Sequence, residues 1–212
     1  MPMTRRRLLT TTAAAALVVT LPSVVGAAPP TPTEQVRGAI QRVLRILEDP
    51  ALHGDARAAE RRAAMRKVAN ELFDFTEITK RSLGRHWQAR TPAEREELVR
   101  LFGDLLERTY VSRIELYSGE KILYAGETVD TDQAVVRTRI VTKQGAEIPV
   151  DYRLLVRGER WRAYDVVIEG VSLVANYRSQ FDKILQAGYP ELVKRLRAKL
   201  DERPDAGRAA RN

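Results

Sequence analysis

Apolar positions recur along this chain with two different periods, and the change falls just before Lys121. Val36, Ile40, Val43, Leu44 and Leu47 lie three or four residues apart, which predicts a helix that stops before Pro50. A polar helix rich in Ala and Arg is predicted from about Asp55 toward Leu72 and Phe73. Phe75, Ile78 and Leu83 predict a short third helix, ended by Gly84 as a left-handed cap. The clearest local signal is Thr91-Pro92-Ala93-Glu94. Thr91 can cap, Pro92 suits the first helical position, and Glu94 completes a capping box. From there Leu98, Leu101, Phe102, Leu105, Leu106 and Ile114 form one long stripe, predicting a helix to about Tyr117.

The second period is two. Lys121–Glu127 reads as a strand. In Ala134–Val141 the residues Ala134, Val136, Thr138 and Ile140 share a face. In Ile148–Arg157, Ile148, Val150, Tyr152, Leu154 and Val156 share one face, while Asp151, Arg153 and Arg157 take the other. Strict alternation of this kind belongs to a sheet with one covered face. Gly158-Glu159 suits a two-residue hairpin turn into a partner strand Trp161–Ile168. Ser172 then caps a helix carrying Leu173, Val174, Tyr177, Phe181, Ile184 and Leu185, which Gly188 ends. Pro190 opens a last amphipathic helix through Leu192, Val193, Leu196 and Leu200. Helices, then a four-stranded antiparallel meander, then helices make an α+β fold.

The ends of the chain read differently. Arg5, Arg6 and Arg7 precede an apolar, Thr-broken run from Leu8 to Leu21, and Val25-Gly26-Ala27 offers a small-residue cleavage site. This is the grammar of a signal peptide over 1–27, and the run falls short of the roughly 20 apolar residues of a membrane span. The alternative is an uncleaved N-terminal anchor. Thr4-Arg5-Arg6-Arg7-Leu8-Leu9 also resembles a twin-arginine signal. Residues 28–33, with three prolines, read as a linker, and 204–212 as a disordered basic tail. The segment between, 28–203, is the length of one domain. The net charge is +8, and it stays positive without the three leader arginines. An exported basic chain meets anionic headgroups or acidic partners, and nothing in it reads as a nucleic-acid module.

Catalytic chemistry is sparse. There is no cysteine, and the two histidines, His53 and His86, are isolated, which disfavours a zinc site. No glycine-rich phosphate loop and no nucleophile elbow occur. Asp151, Asp165 and Glu169 fall on the sheet, where they either do acid–base work or pair with Arg153 and Arg162. Trp87, Phe102, Tyr110, Tyr124, Tyr152, Tyr164, Tyr177 and Phe181 come from helices and strands alike. Periodicity alone leaves open whether they fill a core or line a cavity.

A long ordered pattern narrows the choice. It comprises Phe73-Asp74-Phe75, Leu83-Gly84-Arg85-His86-Trp87, Thr91-Pro92-Ala93-Glu94, Leu101-Phe102 and Leu105 through Tyr110. It continues through Trp161-Arg162-Ala163-Tyr164-Asp165-Val166-Val167-Ile168-Glu169-Gly170-Val171-Ser172-Leu173 to Asn176-Tyr177-Arg178-Ser179-Gln180-Phe181. Over roughly residues 70 to 200 this resembles the MlaC family of periplasmic phospholipid-binding proteins, also called the toluene-tolerance auxiliary family. The resemblance implies a twisted four-stranded sheet packed with helices, partly similar to nuclear-transport-factor-like folds, around an apolar pocket for acyl chains. It implies a non-enzymatic carrier with no cofactor beyond its phospholipid cargo. The implied partners are an MCE-domain protein of an inner-membrane ABC transporter and an outer-membrane lipoprotein complex. Some relatives imply a hopanoid-related lipid instead. We expect a monomer.

Within that fold the expected tail wall is Val136, Ile140, Val150, Tyr152, Leu154 and Tyr164 from the sheet. Phe75, Leu101, Phe102, Leu105, Val171, Leu173 and Phe181 complete it. Arg81, Arg85 and Arg178 are the candidate headgroup cations. Ordinary core, and for the arginines ion pairs or solvated surface, are the competing readings. Two other functions compete as well. An enzyme would bring Asp165 and His86 together in the pocket. An interaction protein would have a filled core and a basic docking face.

Overall fold

The computed structural model describes residues 29–202. The expected leader, 1–27, and the expected tail, 204–212, lie outside the described residues. Helix α1 spans Pro32–Glu48 and opens with a capping box, Thr31 with Glu34. The expected linker over 28–33 therefore ends earlier than its prolines suggest. Thr31-Pro32-Thr33-Glu34 has the same form as Thr91-Pro92-Ala93-Glu94, and proline at the first helical turn is tolerated because its missing N–H has no partner there. Two short 3-10 turns, Pro50–Leu52 and Asp55–Arg57, lead into α2, Ala58–Leu72. Helix α3, Phe75–Leu83, is capped by Asp74, whose carboxylate accepts from Glu77 N at 2.8 Å. Gly84 has φ 53°, the positive value expected, but the chain continues as a 3-10 turn through Trp87. Helix α4, Pro92–Ile114, starts at the predicted box and stops three residues before Tyr117.

The strands are β1 Lys121–Asp130, β2 Gln133–Val141, β3 Glu147–Arg157, β4 Arg160–Ile168 and β5 Val171–Ser172. They form one antiparallel sheet in the order β1-β2-β3-β4-β5. The predicted meander is thus present, with a two-residue fifth strand that pairs Ser172 with Val167 and Val171 with Ile168. The β2–β3 register is unbroken, whereas β1 carries an irregularity at Ala125 and β4 one at Tyr164. Helices α5, Leu173–Leu185, and α6, Tyr189–Asp201, close the chain. Among the described residues no helix is long and apolar enough to cross a membrane.

Two separate apolar clusters hold these elements. Val36 and Ala39 of α1, Val68 and Leu72 of α2, and Val136, Leu154 and Ala163 of the sheet form one. Ile78, Leu83, Leu98, Phe102, Val174, Phe181, Leu192 and their neighbours from α3 to α6 form the other. Phe73 packs against both, and its bridge to Ala163 ties the start of α3 to β4. Polar clasps fasten the same joint. Arg157 reaches Asp74 and the buried Glu77 at 2.8 and 3.2 Å. Asp165, 3% exposed, accepts from Ser172 Oγ at 2.6 Å, Val174 N at 3.0 Å and Arg153 at 3.2 Å. A buried carboxylate is tolerated when its lone pairs are filled in this way.

Candidate functional site

Antiparallel register puts Val136, Tyr152 and Val166 in one row across the inner face of the sheet. The next rows hold Tyr124, Thr138, Val150 and Ile168, then Ile122, Ile140 and Ile148. A period of two sends all of them to one side. Helices α1 and α2 cover one end of that side, at Val136, Leu154 and Ala163. Toward the other end Val150 and Thr138 are buried, and the Thr138 hydroxyl is satisfied by the Val150 carbonyl at 2.7 Å. Their neighbours Ile122, Tyr124, Ile140, Ile148, Val166 and Ile168 are only half-buried. The inner face is therefore continuous in chemistry and uneven in cover.

Four tyrosines border these regions, Tyr124 and Tyr152 on the sheet and Tyr110 and Tyr177 on α4 and α5. Desolvation pushes the hydroxyls of Tyr152 and Tyr177 up to about 12, and raises those of Tyr110 and Tyr124 above their ordinary value. None of the four is fully covered. Tyr152 packs against the cluster beneath α1 and α2, and Tyr110 and Tyr177 pack against the helical cluster, each keeping some accessible surface. Tyr177 also stacks edge-on against Phe102, with centroids 4.8 Å apart, which ties it to the helical cluster. Arg37 of α1 lies over the Tyr124 ring at 4.4 Å, and Arg113 of α4 lies 5.9 Å from that of Tyr110.

The thirteen expected wall residues divide among distinct places. Leu101, Phe102, Leu105 and Phe181 are buried in the helical cluster, and Phe75 and Leu173 pack against it. Val136 and Leu154 are fully buried beneath α1 and α2, with Tyr152 against them. Val150 and Ile140 lie on the same inner face, beyond that cover. Tyr164 sits at the β4 irregularity, clamped by Arg81 at 4.0 Å and donating to Gln133 at 3.2 Å. Val171 is 62% exposed, because β5 pairs only with the edge of β4 and nothing packs on its other side. It does not belong to an interior wall. Sequence reasoning left Tyr110, Tyr124 and Tyr177 off the wall. Tyr124 does alternate with Ile122, and Tyr110 does follow Leu106 by one helical turn. That signal was visible but could not distinguish a wall from a core.

The three candidate headgroup arginines are all engaged. Arg81 bonds Glu77 at 2.8 Å, Arg85 bonds Asp182 at 2.9 Å, and Arg178 donates to the Arg81 carbonyl at 2.7 Å. By contrast Arg113 makes no ion pair among the described residues. His86 meets Asp182 at 2.9 Å, whereas Asp165 serves Arg153 and the start of α5, so the two do not converge. Among the described residues no three His, Cys, Asp or Glu side chains gather as a metal site. An open groove of about 540 Å³ runs beside Arg62, Arg66 and Lys67 of α2, and one of about 570 Å³ lies beside Val193 and Arg197 of α6. Neither includes an expected wall residue.

The family model described as MlaC protein matches residues 37–198. The intermembrane phospholipid transport system binding protein MlaC of Haemophilus influenzae is 26% identical over 115 residues. That alignment takes in 50% of this chain and 54% of the relative, so the chain spans about half the relative's length. A phospholipid-binding protein from Ralstonia solanacearum, solved in complex with a phospholipid, superposes with a TM-score of 0.70 at 26% identity. The superposition covers 78% of this chain and 94% of that one.

Proposed function

The chain belongs to the MlaC family, and on that premise we propose that it is a periplasmic phospholipid carrier. It shuttles lipid between an outer-membrane lipoprotein complex and the MCE-domain protein of an inner-membrane ABC transporter. The acyl chains lie along the uneven end of the inner sheet face, over Ile140, Val150 and Tyr152, and run toward Tyr110 and Tyr177. The observation that carries this reading is the apolar inner face of the sheet left half-covered at Ile122, Tyr124, Ile140, Ile148 and Ile168. The likeness to a protein solved with phospholipid supports the same cargo.

The physics requires little else. Moving two 16-carbon chains through water costs on the order of 25 kcal/mol at about 0.8 kcal/mol per methylene. Apolar walls remove most of that barrier without a catalytic group or a nucleotide. Arg113, without an ion pair among the described residues and 5.9 Å from the Tyr110 ring, meets the headgroup phosphate better than the three engaged arginines. The test is mass spectrometry of an organic extract of the purified protein, with an unrelated periplasmic protein as control. Near-stoichiometric phospholipid is the expected result. A hopanoid-type lipid would keep the carrier and change its cargo. An empty extract after detergent-free purification would overturn the carrier reading.

A further inference from the structure

We propose that the protein self-associates through its β1 edge, two copies pairing antiparallel to join their sheets into one continuous sheet. Strand β1 ends the sheet, so one side of a ten-residue strand has no neighbour among the described residues. An open edge of this length offers a row of unpaired N–H and C=O groups to another strand. Two large hydrophobic side chains are left exposed on it, Leu123 at 47% and Val129 at 49%.

The sequence of β1 complements itself. An antiparallel pairing with its two-fold axis between Ala125 and Gly126 sets Lys121 opposite Asp130 and Ile122 opposite Val129. Leu123 then faces Thr128, and Tyr124 faces Glu127. Opposite charges meet at both ends, and apolar meets apolar next to them. The irregularity at Ala125 makes this possible. Ile122 and Tyr124 pair with Ile140 and Thr138, and Glu127 and Val129 pair with Val136 and Ala134, so all four point to the inner face. Ile122 and Val129 are an odd number of residues apart and would lie on opposite faces of a regular strand. The one extra residue brings them to the same face. Registers displaced by one residue pair opposite faces, and those displaced by two separate Lys121 from Asp130. Only the stated register uses the whole strand. Glu127 is held in its own copy, accepting from Thr33 N at 2.8 Å and Thr33 Oγ1 at 2.7 Å.

This association is independent of the cargo and replaces the expectation of a monomer. A single strand pair buries less than the roughly 1,200–2,000 Å² of stable interfaces, so a weak dimer, in the micromolar range, is expected. Sedimentation velocity over a concentration series tests it. Lys121→Asp and Asp130→Lys each place like charges at both ends of the pairing, and each should weaken self-association about tenfold. An equimolar mixture of the two variants restores opposite charges at both ends and should dimerise as the unaltered protein does. Circular dichroism of each variant separates a lost interface from a lost fold. A protein monomeric to millimolar concentration would overturn the proposal. So would a dimer that ignores both substitutions, as one formed elsewhere on the surface would, or folded variants whose mixture stays monomeric.

Discussion

The helical cluster and the inner face of the sheet are built from similar residues and finished differently. In the first, Leu83, Leu98, Phe102 and Leu192 are each exposed by 2% or less, and Phe102 and Phe181 meet edge-on at 5.0 Å. In the second, Ile122, Ile140, Ile148 and Ile168 carry comparable apolar bulk and remain half-buried. A filled cluster contributes stability, since close packing gives each methylene its full set of partners. A partly covered face contributes less to folding and keeps surface available to a ligand. The difference lies in what packs on top: four helices interlock in one case, and in the other α1 and α2 cover Val136, Leu154 and Ala163 while Ile122, Ile140 and Ile148 keep exposed surface.

Substitutions at one site of each kind should separate these roles. Phe102→Ala should cost about 4 kcal/mol in chemical denaturation, the range for an aromatic side chain deleted from a close-packed core. Ile140→Glu should do the reverse. Its side chain reaches water, so the fold should lose under about 1 kcal/mol while bound phospholipid falls at least tenfold in extracts. Normal lipid content in that variant would remove the sheet face from the site.

A smaller effect reads the buried tyrosines through pH. Burial raises the Tyr152 and Tyr177 hydroxyls from 10.0 to about 12 in the folded chain. The unfolded chain therefore gives up these protons first as pH rises, and the folded state keeps them longer. Their contribution is complete below the unfolded value and is lost as pH climbs from 10 through 12. Thermal melts across that window should fall with pH, and Tyr152→Phe should flatten the fall. An unchanged slope would mean that Tyr152 is solvated in the folded state. The smallest effect belongs to neither region. Thr91→Ala removes the cap at the start of α4 and should cost about 1 kcal/mol in a thermal melt, with lipid content unchanged.

Much of this architecture was legible before folding. Thr91 with Glu94, Asp74 before Phe75 and Ser172 before Leu173 are local signals, because a cap bonds its own helix a few residues away. The strands and their shared faces followed from alternation, and the family followed from a long ordered string. A second T-P-x-E motif at Thr31 was equally local, and it was obscured by the prolines around it. The site was less legible. Leu154 and Ile140 sit on the same face with the same chemistry, yet one is completely covered and the other is not.

The sequence by itself determined the six main helices and four of the strands to within a few residues, the alternation within β2 and β3, and what family the chain joins. Only the tertiary structure decided that Val171 faces out, that Arg81, Arg85 and Arg178 are already bonded, and that an irregularity at Ala125 realigns the faces of β1. The physical reason is range. Periodicity records how a side chain is directed relative to its own backbone, whereas cover and pairing depend on segments far away in the chain, whose arrival no local pattern encodes.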